Sequence, residues 1–224
     1  MKKIVIWVTI LMLFASTSAF ARVAPRGNGI VTGVVLEPPS NTFISNVPPS
    51  NLVANPDLGN ISLAGSSTQT ITSGSYKYGR ITTRNSARLI INGDVSLYLT
   101  DNTSIDLNDS SYIEIADGSS LTIYFDGSLT AENGILNLNG TEHPGTLQLY
   151  GTATADQVRI RGGQTIGLIN APDADVEFTN DAEVYGALIA NSLDADGTSK
   201  FHYDERLQTS GPSDGYKLSW ARRT

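Results

Sequence analysis

Apolar residues in this chain come in pairs two positions apart, and from Leu97 to Leu129 the pairs recur every eight residues. Leu97, Ile105, Ile113, Leu121 and Leu129 carry the beat; Leu99, Leu107, Ile115, Ile123 and Ala131 follow two positions later. Such a pair puts both side chains on one face of an extended segment. Asp101, Asp109 and Asp117 fall where the chain must turn. A helix would need spacings of three and four, which this stretch lacks.

Short strands at this interval build either an antiparallel sandwich or a solenoid in which each strand is one side of a coil. Most joints lack the Asn-Gly or Asp-Gly signal of a tight hairpin. The pattern therefore predicts an all-β fold, a single-stack parallel β-solenoid (β-helix). Three eight-residue sides give a coil of roughly 24 residues, with strands stacked about 4.8 Å apart. Tyr78 to Leu207 then holds about five or six coils. Beyond Leu129 the pairs persist but lose the beat: Leu136 with Leu138, Leu147 with Leu149, Val158 with Ile160, Ile166 with Leu168, Val176 with Phe178. Longer turns are expected at 141–145 and 151–157, where binding loops would project.

The flanks read differently. Residues 1–21 have the form of a secretory signal: Lys2 and Lys3, an apolar run from Ile4 to Phe14, and Ala19-Phe20-Ala21 as cleavage site. The run is shorter than the roughly 20 residues of a spanning helix, so no membrane span is expected after cleavage. Residues 22–60 form a Pro-rich segment, expected to be a linker or cap, with Pro25, Pro38, Pro39, Pro48, Pro49 and Pro56. Its apolar Val34, Val35 and Phe43 are placed along the first coil. The solenoid domain is set at 61–207, and 208–224 as a capping segment in which Tyr216, Leu218 and Trp220 alternate.

Composition narrows the function. Removing 1–21 takes away Lys2 and Lys3, leaving 13 basic and 22 acidic side chains, a formal charge of −9. That surface repels phosphates, so no nucleic acid partner is expected. The chain has no cysteine, which excludes disulfides, thiolate metal sites, a Cys nucleophile and a lipidated N-terminal Cys. It also lacks the G-x-S-x-G, P-loop and H-E-x-x-H motifs.

Two groups of polar residues remain as candidates. His202, Asp204 and Glu205 lie together in FHYDERL. One reading is a general base or metal ligand with its acids. The other is a rim motif with Phe201 and Tyr203 in the core, and the residues favour this one. Asp173 and Asp175 share a face if APDADV is extended; they would suit calcium, or polysaccharide cleavage with Arg159 nearby. Local turn bonds explain them more simply. No cofactor is expected, calcium at that pair being the one alternative.

The segments LIINGDVSLYLTDN (89–102), HPGTLQLYGTA (143–153), GLINAPDADVEFTNDAEVYGALIANSL (167–193), FHYDERL (201–207) and YKLSW (216–220) carry a family resemblance. They resemble, in order, the repetitive C-terminal domain of PilX-type and related type IV pilus-associated proteins. A similar region occurs in biogenesis proteins of the mannose-sensitive haemagglutinin pilus. The resemblance covers roughly residues 70 to 220 and implies a solenoid with no assigned chemistry, in which FHYDERL serves as a corner or cap. The N-terminus departs from it, with an A-x-A signal where PilX-type proteins keep a prepilin helix. The expectation is a non-enzymatic structural or adhesive module, exported to the periplasm, cell surface or medium. Its partners would be pilus or cell-envelope proteins, or surface glycans, and Tyr203 joins Asp173, Asp175, His202, Asp204 and Glu205 as candidate binding or capping positions. A β-helical carbohydrate-binding or -cleaving protein and a self-associating solenoid scaffold are the alternatives.

Overall fold

The computed structural model describes residues 22–25, 30–32, 46–133 and 135–204, without the side chains of 22–25, 30–32 and 136. The signal reading at 1–21, Val34, Val35 and Phe43, Glu205, and the cap at 208–224 lie outside the described residues. Among the described residues, fourteen strands form one sheet, and every strand pair in it is parallel. The sheet winds into a three-sided β-solenoid of about seven turns.

The beat is real, and its residues are the core. Leu97, Ile105, Ile113, Leu121 and Leu129 are all fully buried, as are Leu99, Leu107, Ile115 and Ile123. The first face stacks Ile61, Ile81, Ile105, Leu129, Val158, Val176 and Leu193 in register. The second stacks Leu89, Ile113 and Ile135, and further along Val184 on Phe201. The third stacks Tyr76, Leu97, Ile123, Leu149, Ile169 and Leu188.

The expected count of five or six equal coils needs correction. On the first face the steps from Ile61 to Ile81, Val158 to Val176 and Val176 to Leu193 are all shorter than those between Ile81 and Val158. Short coils at both ends leave room for an extra turn. On the third face Leu97 pairs with Ile123, and Leu121 aligns with Val95 instead. The eight-residue beat thus slips by two positions there. Residues 151–157, expected as a projecting turn, lie within the strand Leu147–Arg161 and are taken up by register shifts. The turn at 141–145 is present and leads into a 3-10 turn at Pro144–Thr146. Ile166 and Leu168 do not both face inward: Ile169 takes the core position, and Leu168 aligns with Gln148 outside.

The corner from first to second face repeats a four-residue device. At five of these corners the fourth residue, Ser or Ala, returns its N–H to the first residue's carbonyl. Examples are Ala87 to Arg84 at 3.3 Å, Ser111 to Asn108 at 3.2 Å, Ala182 to Thr179 at 3.1 Å and Ser199 to Asp196 at 3.3 Å. Asn85, Asp109 and Asn180 adopt φ of 60°, 58° and 53° at the second position. Asn and Asp tolerate this left-handed backbone best among residues with a side chain. The Ser hydroxyls also bond within the corner, Ser111 Oγ donating to Asn108 O at 2.6 Å and Ser199 Oγ to Asp196 O at 2.6 Å.

Where the second-face ladder breaks between Ile135 and Gln164, side chains take over. Thr165 Oγ1 accepts from the Ile135 N–H at 3.2 Å, and Asn137 Nδ2 donates to Ile166 O at 3.2 Å. Both side chains are buried, so these bonds satisfy groups that would otherwise be costly to desolvate.

The two ends are closed by the Pro-rich segment. At the start of the stack the helix Ser50–Val53 packs on Thr68–Tyr78 and Arg88–Leu99 with Leu52 buried. Asn55 Nδ2 donates to Ser75 O at 2.8 Å beside it. At the far end Arg22–Pro25 pairs with residues 192–195, and Ile30–Thr32 with residues 200–202.

Candidate functional site

Outward positions of the third face carry the most distinctive chemistry. Lys77, Tyr98, Tyr124, Tyr150 and Asn170 occupy successive rungs in register. The Tyr124 and Tyr150 rings stack with centroids 5.1 Å apart and planes 18° from parallel. Lys77 Nζ sits 6.0 Å from the centre of the Tyr98 ring, within the outer range of a cation–π contact. The flanking outward column is Ser75, Ser96, Thr122 and Gln148.

The phenols are held in place. Tyr98 OH donates to Asp126 Oδ2 at 3.1 Å, Tyr150 OH to Gln148 Oε1 at 2.8 Å, and Gln148 Nε2 to Gly145 O at 3.0 Å. Thr152 Oγ1 also donates to Asp126. Partial burial raises the phenol pKa of Tyr98, Tyr124 and Tyr150, reinforced at Tyr98 by the Asp126 charge. All three therefore remain neutral across the physiological range. The column was open to discovery, since Tyr98, Tyr124 and Tyr150 are evenly spaced along the chain. Their interval is slightly longer than three eight-residue sides, so a coil of fixed length hides it.

The sequence candidates fall on other faces and do not converge. Phe201 is buried and Tyr203 packs against the core. His202 faces outward and stacks on Tyr185 with centroids 4.5 Å apart. Its Nε2 lies 3.4 Å from Glu183 Oε1, and Lys200 Nζ lies 3.6 Å from the same oxygen. The Asp204 N–H donates to Gly186 O at 2.8 Å, closing the strand end. Asp173 is exposed beside buried Ala174, within the register shift between Ala171 and Asp175. Asp175 accepts from Asn191 Nδ2 at 2.9 Å and Ser192 Oγ at 2.6 Å. Arg159 pairs with Glu177 at 2.6 Å on the next rung. Asp175 and the arginine of the carbohydrate-cleaving alternative are thus engaged in bonds along the stack. Among the described residues no group of three or more His, Cys, Asp or Glu is placed to hold a metal ion. None of their helices is long and apolar enough to cross a membrane.

The second-face corner carries a pH dependence. A hydrogen bond from Tyr185, then the charges of Lys200 and His202, hold the Glu183 carboxyl below the usual carboxylate range. A carboxylate with a lowered folded pKa adds stability above its unfolded pKa, and loses it as pH falls through the folded value. Amide protection at residues 200–203 is therefore expected to drop below the carboxylate range, and Glu183→Gln to abolish that drop. An unchanged acid response in the variant, read by hydrogen exchange, would refute the assignment.

Fold and surface together define a parallel β-solenoid with one tyrosine-lined lateral face. The chain belongs to the family described as domain of unknown function DUF7305, whose model matches residues 50–210. No curated protein and no solved structure matches it.

Proposed function

We propose that this chain is a non-enzymatic, exported structural and adhesive module of the bacterial cell surface, associated with type IV pilus assembly or surface attachment. Its contact surface is the third-face tyrosine column, and the ligand there is a surface glycan. The observation that carries this reading is the in-register column of Tyr98, Tyr124 and Tyr150, whose neutral phenols repeat at rung spacing beside Thr122 and Gln148. Amphipathic rings with fixed hydroxyls recognise polyols through apolar edges and through the phenol lone pairs, which remain open to accept once the Tyr98 and Tyr150 protons are given to Asp126 and Gln148. The order of PilX-like segments and the signal-like residues 1–21 support the setting.

The test is binding to a panel of immobilised neutral and acidic polysaccharides, with Tyr124→Ala and Tyr150→Ala beside His202→Ala as a control on another face. A loss of about tenfold, about 1.4 kcal/mol, is expected for each tyrosine variant and none for the control. Equal binding by all variants would remove the column from the proposal. Deletion of the gene with no change in piliation or attachment would remove the setting.

A further inference from the structure

Among the described residues, the last coil of the stack is built by those that come earliest in the chain. Arg22 lies opposite Ser192 and Pro25 opposite Ala195, while Ile30 lies opposite Lys200 and Thr32 opposite His202. All seven pairs are parallel, so this arm extends the ladder in the same sense as every coil before it. Each other coil follows from its predecessor along the chain. This one is joined to the rest only through the peptide between Thr32 and Asn46. Asn46 is itself fixed on the third face, with Nδ2 donating to Asn170 O at 3.0 Å.

What the arm covers makes its seat an acceptor. Leu193, Ala195 and Phe201 are 2%, 1% and 1% exposed, as dry as residues in mid-stack. They are the register partners of Val23, Pro25 and Val31. At the opposite end the inward Ile61 and Ile71 are as dry, 3% and 5% exposed, beneath the Ser50–Val53 helix that carries Leu52, so each end is covered by its own part of the N-terminal segment. Without the arm, the far end would present an unpaired edge and an apolar coil together, the combination that captures an added strand. A second copy's arm fits this edge as the chain's own does, because it brings the same residues to the same register partners.

We propose that the far end of the stack is an acceptor for the N-terminal arm of a second copy of this chain. Two or more chains are then joined by exchange of their first strands, as in domain swapping. The exchanged contact reproduces the pairs made within one chain, so it creates no new interface chemistry. Its extent is set by concentration, because the arm's own link gives it a high effective concentration at home. This inference stands apart from the glycan reading, which concerns the third face.

The chain contains no cysteine, so single thiols report the pairing cleanly. Ala24→Cys and Asp194→Cys occupy opposed register positions. The two single variants of the full chain are mixed at high concentration, diluted, treated with a short bis-maleimide and read on a denaturing gel. Exchange is expected to give a species of double mass, at least tenfold more abundant than with either variant alone and rising with mixing concentration. The chain carrying both thiols serves as control. If it cross-links only within itself while the mixture stays at single mass, exchange is overturned. If neither cross-links, the arm does not occupy this edge, and the proposal fails as well. Arg22→Cys with Ser192→Cys, also opposed, replaces any variant that circular dichroism shows to be unfolded.

Discussion

Replacing Phe178 by alanine is expected to lower stability by about 3–5 kcal/mol, the usual cost of deleting a buried phenyl ring. Phe178 is fully buried and stacks on Phe201 with centroids 6.2 Å apart, adding an aromatic contact to the lost area. The cavity would not refill easily. Its register neighbours are Ile160 on one side and Ala195 on the other, and the alanine methyl is too short to swing inward. In a stack each coil contacts chiefly its neighbours, so the damage should be local. Hydrogen exchange should rise first at 193–203 and leave 89–99 protected, with the total loss read from urea unfolding. A cost under about 1 kcal/mol, far below the usual range, would show that this ring does not fill the coil as described.

Gly186→Ala is expected to cost about 3 kcal/mol, from backbone strain and overpacking together. Gly186 has φ of 149°, and a Cβ there would stand 1.8 Å from the carbonyl oxygen of Gly167, its register partner. Gly167 cannot retreat, because it already lies against Leu147, with its own Cβ position 2.7 Å from the Leu147 carbonyl oxygen. The second and third faces meet at this point, and the backbones of successive coils approach too closely for any side chain. Gly197→Ala offers the contrast. It also has positive φ, 70°, but nothing lies within 4 Å of its Cβ position. Backbone strain alone predicts a cost of about 1 kcal/mol there. Thermal melts of the two variants should differ clearly, and equal melts would contradict the close approach.

The solenoid was legible because one physical constraint repeats. A side that buries two residues must turn after them, so Ile105 with Leu107 and Ile113 with Ile115 show the same pair, and Asp109 between them supplies the left-handed corner. The alternation in FHYDERL likewise placed Phe201 and Tyr203 inward and His202 outward. Features lacking a fixed period were not legible. The shorter coils after Val158 need fewer turn residues, and no apolar interval announces the change. The strand Leu147–Arg161 absorbs its extra residues as register shifts where loops were expected. The tyrosine column follows the longer perimeter of the third face, so a fixed coil length spread its members over different positions. The Pro-rich start could be read as a cap, but not as the cap of the distant end. Arg22 and Ser192 lie near opposite ends of the chain, and their pairing leaves no local trace.

That pairing also sets an order of events. During synthesis Arg22–Pro25 leaves the ribosome before any coil exists, yet its partners 192–195 emerge only near the end. Coils can add one upon another as they appear, since each needs only the one before it. The arm must wait, and contacts between such distant residues form slowly. Completion is thus the slowest and most exposed stage, with the growing end open until its first-made strand arrives. A chaperone that shields this end would raise the yield of native protein more than one that shields an earlier coil.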